Sequence, residues 1–240
     1  MTRARRTPLY VALIGDVVAS RRLSAKQRED LQVRLRAWLQ NLNGALGPEQ
    51  LAAPLTLTAG DEIQGLFRKP SSVVTVVQDL TDRMFGLEYQ PHALYGAGRG
   101  PLSTGRIPPP PGQAESPALL DGLAFQHARW ALEQQDESGW VRFLGFGDPP
   151  DFVLDHVLDA LFGLMSTIRE RWTANQGKVS FRMRRSFGDA SSLSQRALAE
   201  QMNISPSVIS ETLKAARHLQ LIEGEEAARE LLATLERAPR

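Results

Sequence analysis

The chain has 240 residues, 42% of them hydrophobic, enough for one sizeable core or two modest ones. Its 28 Lys and Arg against 27 Asp and Glu leave a formal net charge of +1, which excludes a polycation that holds nucleic acid by bulk charge and confines any such contact to a local patch. With no cysteine, disulfides, thiolate zinc sites, CxxC redox motifs and a cysteine nucleophile are excluded.

Arg3, Arg5 and Arg6 lead into Leu9–Ile14, a short apolar run that reads as a buried strand and ends at Gly15-Asp16. It is too short for the roughly 18 to 20 apolar residues of a membrane span, and the expectation is a soluble, cytoplasmic protein with no membrane partner. From Ser24, an N-cap, to about Leu42, the residues Leu31, Leu35, Trp38, Leu39 and Leu42 recur at helical spacing. Residues 54–58 and 63–67 read as two strands joined through Ala59-Gly60-Asp61-Glu62, a hairpin with two acids at its tip. A helix over 71–85 and a strand over 92–97 follow. Gly98 to Pro111, ending in four prolines, reads as a loop or flap, and Gly96 to Gly100 as a turn. A helix over 118–134, a strand over 141–144 and a long helix from Asp151 to about Ala174 complete the first part. The alternation with one tight hairpin predicts an α/β sandwich of ferredoxin-like or palm type with a mixed sheet.

The most suggestive chemistry in this part is the pair Asp16 and Asp61, one at a strand end and one in a hairpin turn. Paired carboxylates can hold Mg²⁺ or Mn²⁺ together with substrate phosphates. The segment Val17-Val18-Ala19-Ser20 can offer N–H groups and a hydroxyl to phosphate before the first helix, and Arg21 and Arg22 add charge. Val17, Ser20 and Arg21 are therefore the candidate phosphate-binding residues. Gly-Asp is equally a common turn dipeptide, so an ordinary turn is the competing reading.

The stretches Leu13-Ile14-Gly15-Asp16-Val17-Val18-Ala19-Ser20-Arg21 and Leu57-Thr58-Ala59-Gly60-Asp61-Glu62-Ile63-Gln64 resemble the two signatures of the SatD family of bacterial proteins, a resemblance covering about residues 9 to 215. Over about residues 9 to 145 they also resemble, more distantly, the two metal-binding Asp motifs of class III nucleotide cyclases. That resemblance implies a cyclase-like fold, metal at Asp16 and Asp61, a nucleotide ligand, and in Arg129 a catalytic charge-stabilising group. Two positions depart from the cyclase pattern. Phe125 stands where those enzymes carry an Asn, and Leu57 where purine-selecting ones carry a Lys. Losing one transition-state donor can cost roughly 10²–10³ in rate, so metal and phosphate binding would outlast efficient cyclisation.

After Gly177 the apolar runs give way to small and polar residues, and a boundary is placed between about 175 and 190. Residues 194–202 form a short helix, Asn203 suits a left-handed turn, and Ser205-Pro206 caps a second helix through Val208, Ile209, Leu213 and Ala216. This is a helix-turn-helix, with the small Ala199 at the crossing. Ser205, Ser207, Ser210, Glu211 and Lys214 are on its outer face. Residues 168–190 carry a local net charge of +4, and Arg182, Arg184 and Arg185 are placed to track phosphates. A helical hairpin used for protein contacts is the alternative. The long 151–174 helix holds more apolar surface than one face needs, so it is buried either by its own domain or by a second copy.

The four histidines, His92, His127, His156 and His218, are dispersed, and neither a GxSxG elbow nor a GxxxxGK[ST] loop is present. The combined expectation is an α/β ferredoxin-like, cyclase-like sandwich over 1–148, a long connecting helix and basic linker over 149–190, and an all-α winged helix-turn-helix over 191–240. The expected function is a DNA-binding transcriptional regulator, homodimeric, whose first part senses a nucleotide or metal-phosphate. Two alternatives remain: a divalent-metal-dependent nucleotidyl cyclase or transferase with an accessory helix-turn-helix, and a dimeric scaffold that binds protein only.

Overall fold

The computed structural model describes residues 7–18, 20–58, 61–103, 116–135, 139–147, 152–184 and 193–237. The expected flap prolines, Pro108 to Pro111, and Arg185 lie outside the described residues.

The first strand, β1 (Tyr10–Val17), is buried on both faces except at Asp16. Helix α1 (Ala25–Gln50) starts at Ser24, whose hydroxyl accepts from the Gln27 amide while the Gln27 side chain accepts from the Ser24 amide. The helix runs further than its periodicity suggests and breaks at Gly47, which adopts φ 63° ahead of Pro48. Strands β2 (Leu51–Leu57) and β3 (Glu62–Phe67) form the expected hairpin, followed by α2 (Ser72–Phe85) and β4 (Ala93–Gly100). Helix α3 (Leu123–Glu133) and β5 (Val141–Leu144) close a five-stranded sheet of order β2-β3-β1-β4-β5, antiparallel except between β4 and β5. The expected mixed α/β layer is present.

The two faces of β1 divide the core. Val11, Leu13 and Val17 join Leu31, Leu35, Leu39, Val73, Val77 and Leu80 of α1 and α2, whereas Tyr10, Ala12 and Ile14 meet Ala124, Phe125 and Ala128 of α3. Residues Gly98 to Gly100, read from sequence as loop, are strand. The reason is distant in sequence: Gly96, Gly98 and Gly100 share one face of β4, and α3 lies directly on them. A Cβ on Gly96 would stand 2.0 Å from the Ala128 carbonyl oxygen, and one on Gly98 2.1 Å from the Ala128 amide nitrogen. The glycines are there for close approach, not for a turn.

The helix expected from Asp151 to about Ala174 is α4 (Val153–Glu170), and a further helix, α5 (Ala174–Met183), begins where it was expected to end. Thr173 opens α5 with a second capping box, paired with Gln176. Most of the supposed basic linker is therefore helical, and Val179 of α5 packs with Leu198, Ala199, Ile209 and Leu213 in a small core of its own. Helices α6 (Gln195–Met202) and α7 (Pro206–Ala215) supply those partners, and α8 (His218–Arg237) follows directly. Residues 193–237 hold three helices and no strand, so the wing expected in the C-terminal part is replaced by α8.

Helix α8 also bridges the boundary placed before the helix-turn-helix. Its Leu221, Ala228 and Leu232 enter the main core, and Glu236 accepts from the Ser71 hydroxyl at 2.6 Å. Among the described residues no helix is long and apolar enough to cross a membrane.

Candidate functional site

Asp16 is the penultimate residue of β1, one position earlier than a strand end, and faces the α3 side of the sheet. It sits in register with Glu62 of β3 and Leu94 of β4, beyond the area that α3 covers. Glu62 is held in place by three neighbours. Arg129 of α3 donates to both of its oxygens, Nη1 at 2.6 Å and Nη2 at 3.2 Å, Gln64 Nε2 donates at 2.6 Å, and Thr58 Oγ1 at 3.3 Å. The Thr58 amide also donates to the Glu62 carbonyl at 2.7 Å, closing the hairpin whose turn carries Asp61. Ala59 and Gly60 lie outside the described residues.

The electrostatics separate the two acids of the paired register. Partial burial raises the Asp16 carboxyl above its ordinary value, the negative charges of Asp61 and Glu62 raise it further, and Arg129 only partly offsets them. Glu62 is lowered, chiefly by its hydrogen bonds from Arg129. Asp16, Asp61 and Arg129 thus converge on one corner, with Glu62 as a fourth member that sequence reasoning did not single out. A divalent cation would reverse the repulsion felt by Asp16. Among the described residues no cluster of three or more His, Asp or Glu side chains could hold a metal, so a cation here would need water and phosphate oxygens beside Asp16 and Asp61. That donor set suits Mg²⁺ or Mn²⁺ carried on a phosphate ligand.

The phosphate loop read from sequence is less open than expected. Val17 buries its side chain in the core, and the Val18 amide donates to the His92 carbonyl at 2.9 Å. Ser20 opens a single 3₁₀ turn over Ser20–Arg22, while the first amides of α1 are already met by its own capping box. Ala19 and the side chain of Arg21 lie outside the described residues. Phe125, at the position of the missing Asn, is packed in the core under α3 and offers no donor.

In the C-terminal part, Asn203 ends α6 in the left-handed conformation at φ 53°, ψ 45°, and the Ser205 hydroxyl accepts from the Val208 amide at 3.3 Å. Ser205, Ser207, Ser210, Glu211 and Lys214 are exposed on α7. Arg182 is exposed at the end of α5, but Arg184 is not available. Its guanidinium pairs with Asp82 through Nε and with Glu225 through Nη2 at 2.7 Å, and its side chain is 8% exposed. Arg169 completes a ring, 3.1 Å from Asp82 and 2.6 Å from Glu225. Two members of the basic patch are thus neutralised inside the protein by acids from α2 and α8. Beside the ring, burial and the charge of Arg184 push His218 down to about 4, and the Ser180 hydroxyl meets its Nδ1 at 2.6 Å.

On α4, Val153, Val157 and Leu164 remain exposed. The chain is similar to a bacterial light-regulated adenylyl cyclase over 57% of its own length and 76% of that chain, at 15% identity and a TM-score of 0.41. No curated protein matches it. The SatD family model matches residues 10–232, nearly the whole chain and both Asp stretches, and the protein belongs to the SatD family.

Proposed function

We propose that the protein is a DNA-binding regulator whose α/β part binds a nucleotide or other phosphate ligand through Mg²⁺ or Mn²⁺ at Asp16 and Asp61. The observation that carries the DNA-binding half is α7. Its first turns present hydroxyls and Lys214 outward while Ile209 and Leu213 anchor it to α5 and α6, the division of faces a groove-reading helix needs. Two copies joined through the exposed apolar residues of α4 would present two such helices.

Fluorescence anisotropy against genomic fragments tests this reading. Each phosphate contact made by Lys214 or Arg182 contributes about 0.9 to the slope of log K against log salt, so the double alanine variant should bind more weakly and with a slope shallower by about 2. An unchanged slope, or no fragment preferred over any other, overturns it.

The ligand half predicts saturable binding of a fluorescent nucleoside triphosphate that requires Mn²⁺ and is lost in Asp16→Ala, a change at an exposed position that leaves the fold intact. A catalytic reading is favoured by one observation, the Arg129 guanidinium beside the acid pair. It requires phosphate to replace Glu62 as the partner of Arg129, and it predicts pyrophosphate release from a nucleoside triphosphate with Mn²⁺. Release that persists in Asp16→Ala would exclude Asp16 from that chemistry.

A further inference from the structure

A cleft of about 280 Å³ opens where α2, the start of β4 and the α4–α5 junction meet, on the far side of the sheet from Arg129. Its walls include Phe85, Trp140 and Trp172, and Glu170 and Gln90 are on its rim. Phe85 and Trp172 stand edge to face at 5.8 Å. At the base, Arg169 lies 5.2 Å from the ring of Trp140 and 6.0 Å from that of Trp172, so both indoles already face a cation. The Arg169 charge is matched by Asp82 and Glu225, which leaves the Glu170 carboxylate as the uncompensated charge of the lining. Gln90 holds φ 37° although it is not glycine and precedes Pro91, a strained conformation of the kind that clusters at ligand-holding positions.

Trp172 also reaches out of the cleft. Its Nε1 donates to the carbonyl of Ala216, the residue that ends α7, at 2.7 Å. One wall of the cleft is therefore hydrogen-bonded to the end of the helix that carries the outward hydroxyls.

We propose that this cleft is an effector site for a planar aromatic organic cation, and that its occupant acts on α7 through Trp172. Indole faces attract cations, the rim carboxylate adds a matching charge, and the volume suits one or two fused rings. A ring seated against Trp172 bears on an indole whose N–H holds the Ala216 carbonyl, so any shift of that indole weakens or moves the hydrogen bond to the end of α7. The binding claim is independent of the DNA reading, and the claim that α7 responds rests on geometry alone.

The test uses 1-methylquinolinium as the cation and quinoline at pH 7.5 as its neutral analogue. The reporter is a Trp38→Phe, Trp130→Phe background in which Trp140 and Trp172 are the remaining fluorophores. Saturable quenching by the cation is expected, weakened roughly three- to tenfold by Glu170→Gln, while quinoline is unaffected by that change. Trp140→Leu should weaken both probes roughly tenfold or more. Hydrogen exchange of the amides in residues 206–217 should change when the cation binds to the wild-type chain. In Trp172→Phe, which keeps an aromatic wall and lacks the donor, the cation should bind but leave those amides unchanged. Non-saturable quenching, equal cation affinity in Glu170→Gln, or the same response of α7 in Trp172→Phe would each overturn the proposal. None of these readouts contains DNA, so a failure of DNA binding leaves them standing, and their failure leaves the DNA reading standing.

Discussion

Glu225→Ala is expected to lower the unfolding free energy by about 3–5 kcal/mol in urea or guanidinium titrations, a loss large enough to threaten the whole fold. Arg169 and Arg184 are both buried and each gives Glu225 a short hydrogen bond, Arg169 at 2.6 Å and Arg184 at 2.7 Å. Truncation leaves two guanidinium groups sharing Asp82 alone, one positive charge in excess where the side chains are at most 10% exposed. The magnitude comes from that stranded charge rather than from the pairs themselves, whose attraction is largely cancelled by desolvation. Asp30→Ala is the control. It breaks the Asp30–Arg34 pair on α1, whose side chains are 40% and 48% exposed, together with the hydrogen bond that the Tyr89 hydroxyl donates to Asp30, and should cost far less. Equal losses in the two variants would show that the ring contributes nothing special. The same region sets a pH dependence. His218, held near 4 in the folded chain against an ordinary 6.5, is neutral when folded and takes up a proton on unfolding. Its contribution to stability is therefore complete above about pH 6.5 and declines as pH falls toward 4. His218→Gln should flatten that part of the profile.

This ring also marks where the amino-acid sequence stopped being informative. The α6–α7 pair and its turn were legible because their signals are local: an N-cap at Ser205, proline at the next position, an asparagine able to turn left-handed, and apolar residues at helical spacing. The α/β order was legible for the same reason. The basic stretch was misread because the acids that neutralise Arg169 and Arg184 lie on α2 and α8, and no spacing rule connects Asp82 to Arg184. The α4–α5 break did leave a signal, Thr173 with Gln176 three residues on, the same capping-box pattern that opens α1, where only the N-cap Ser24 was read from sequence. At the candidate site, Asp16 and Asp61 emerged from their motifs, but Glu62 gained a role only once the antiparallel register set it opposite Asp16 and under Arg129.

Gly98→Ala carries the other large effect, and its sign runs against local expectation. Removing glycine from a strand interior ordinarily gains about 0.5–1 kcal/mol by reducing the freedom of the unfolded chain. Here the added methyl would stand 2.1 Å from the Ala128 nitrogen and 2.3 Å from the Ala124 oxygen, both main-chain atoms of α3. Neither can rotate away, so the whole helix must lift from the sheet. Overpacking of this kind costs about 1–3 kcal/mol and more where backbone must move, so a net loss of about 3 kcal/mol is expected. Gly65→Ala provides the contrast. Its methyl would meet the Leu55 Cδ2 at 2.5 Å, the tip of a side chain that can change rotamer, and a loss near 1 kcal/mol suffices. The lift has a functional reading as well, because α3 carries Arg129, the residue after the Ala128 contact. A displaced α3 draws the guanidinium away from Glu62 and leaves Asp16, Asp61 and Glu62 with less positive charge beside them. Gly98→Ala should therefore expose α3 amides to exchange and raise the Asp16 carboxyl further, whereas Arg129→Ala should produce only the second change. If Gly98→Ala matches the wild-type chain in stability and in α3 exchange, the direct seating of α3 on the glycines of β4 is refuted.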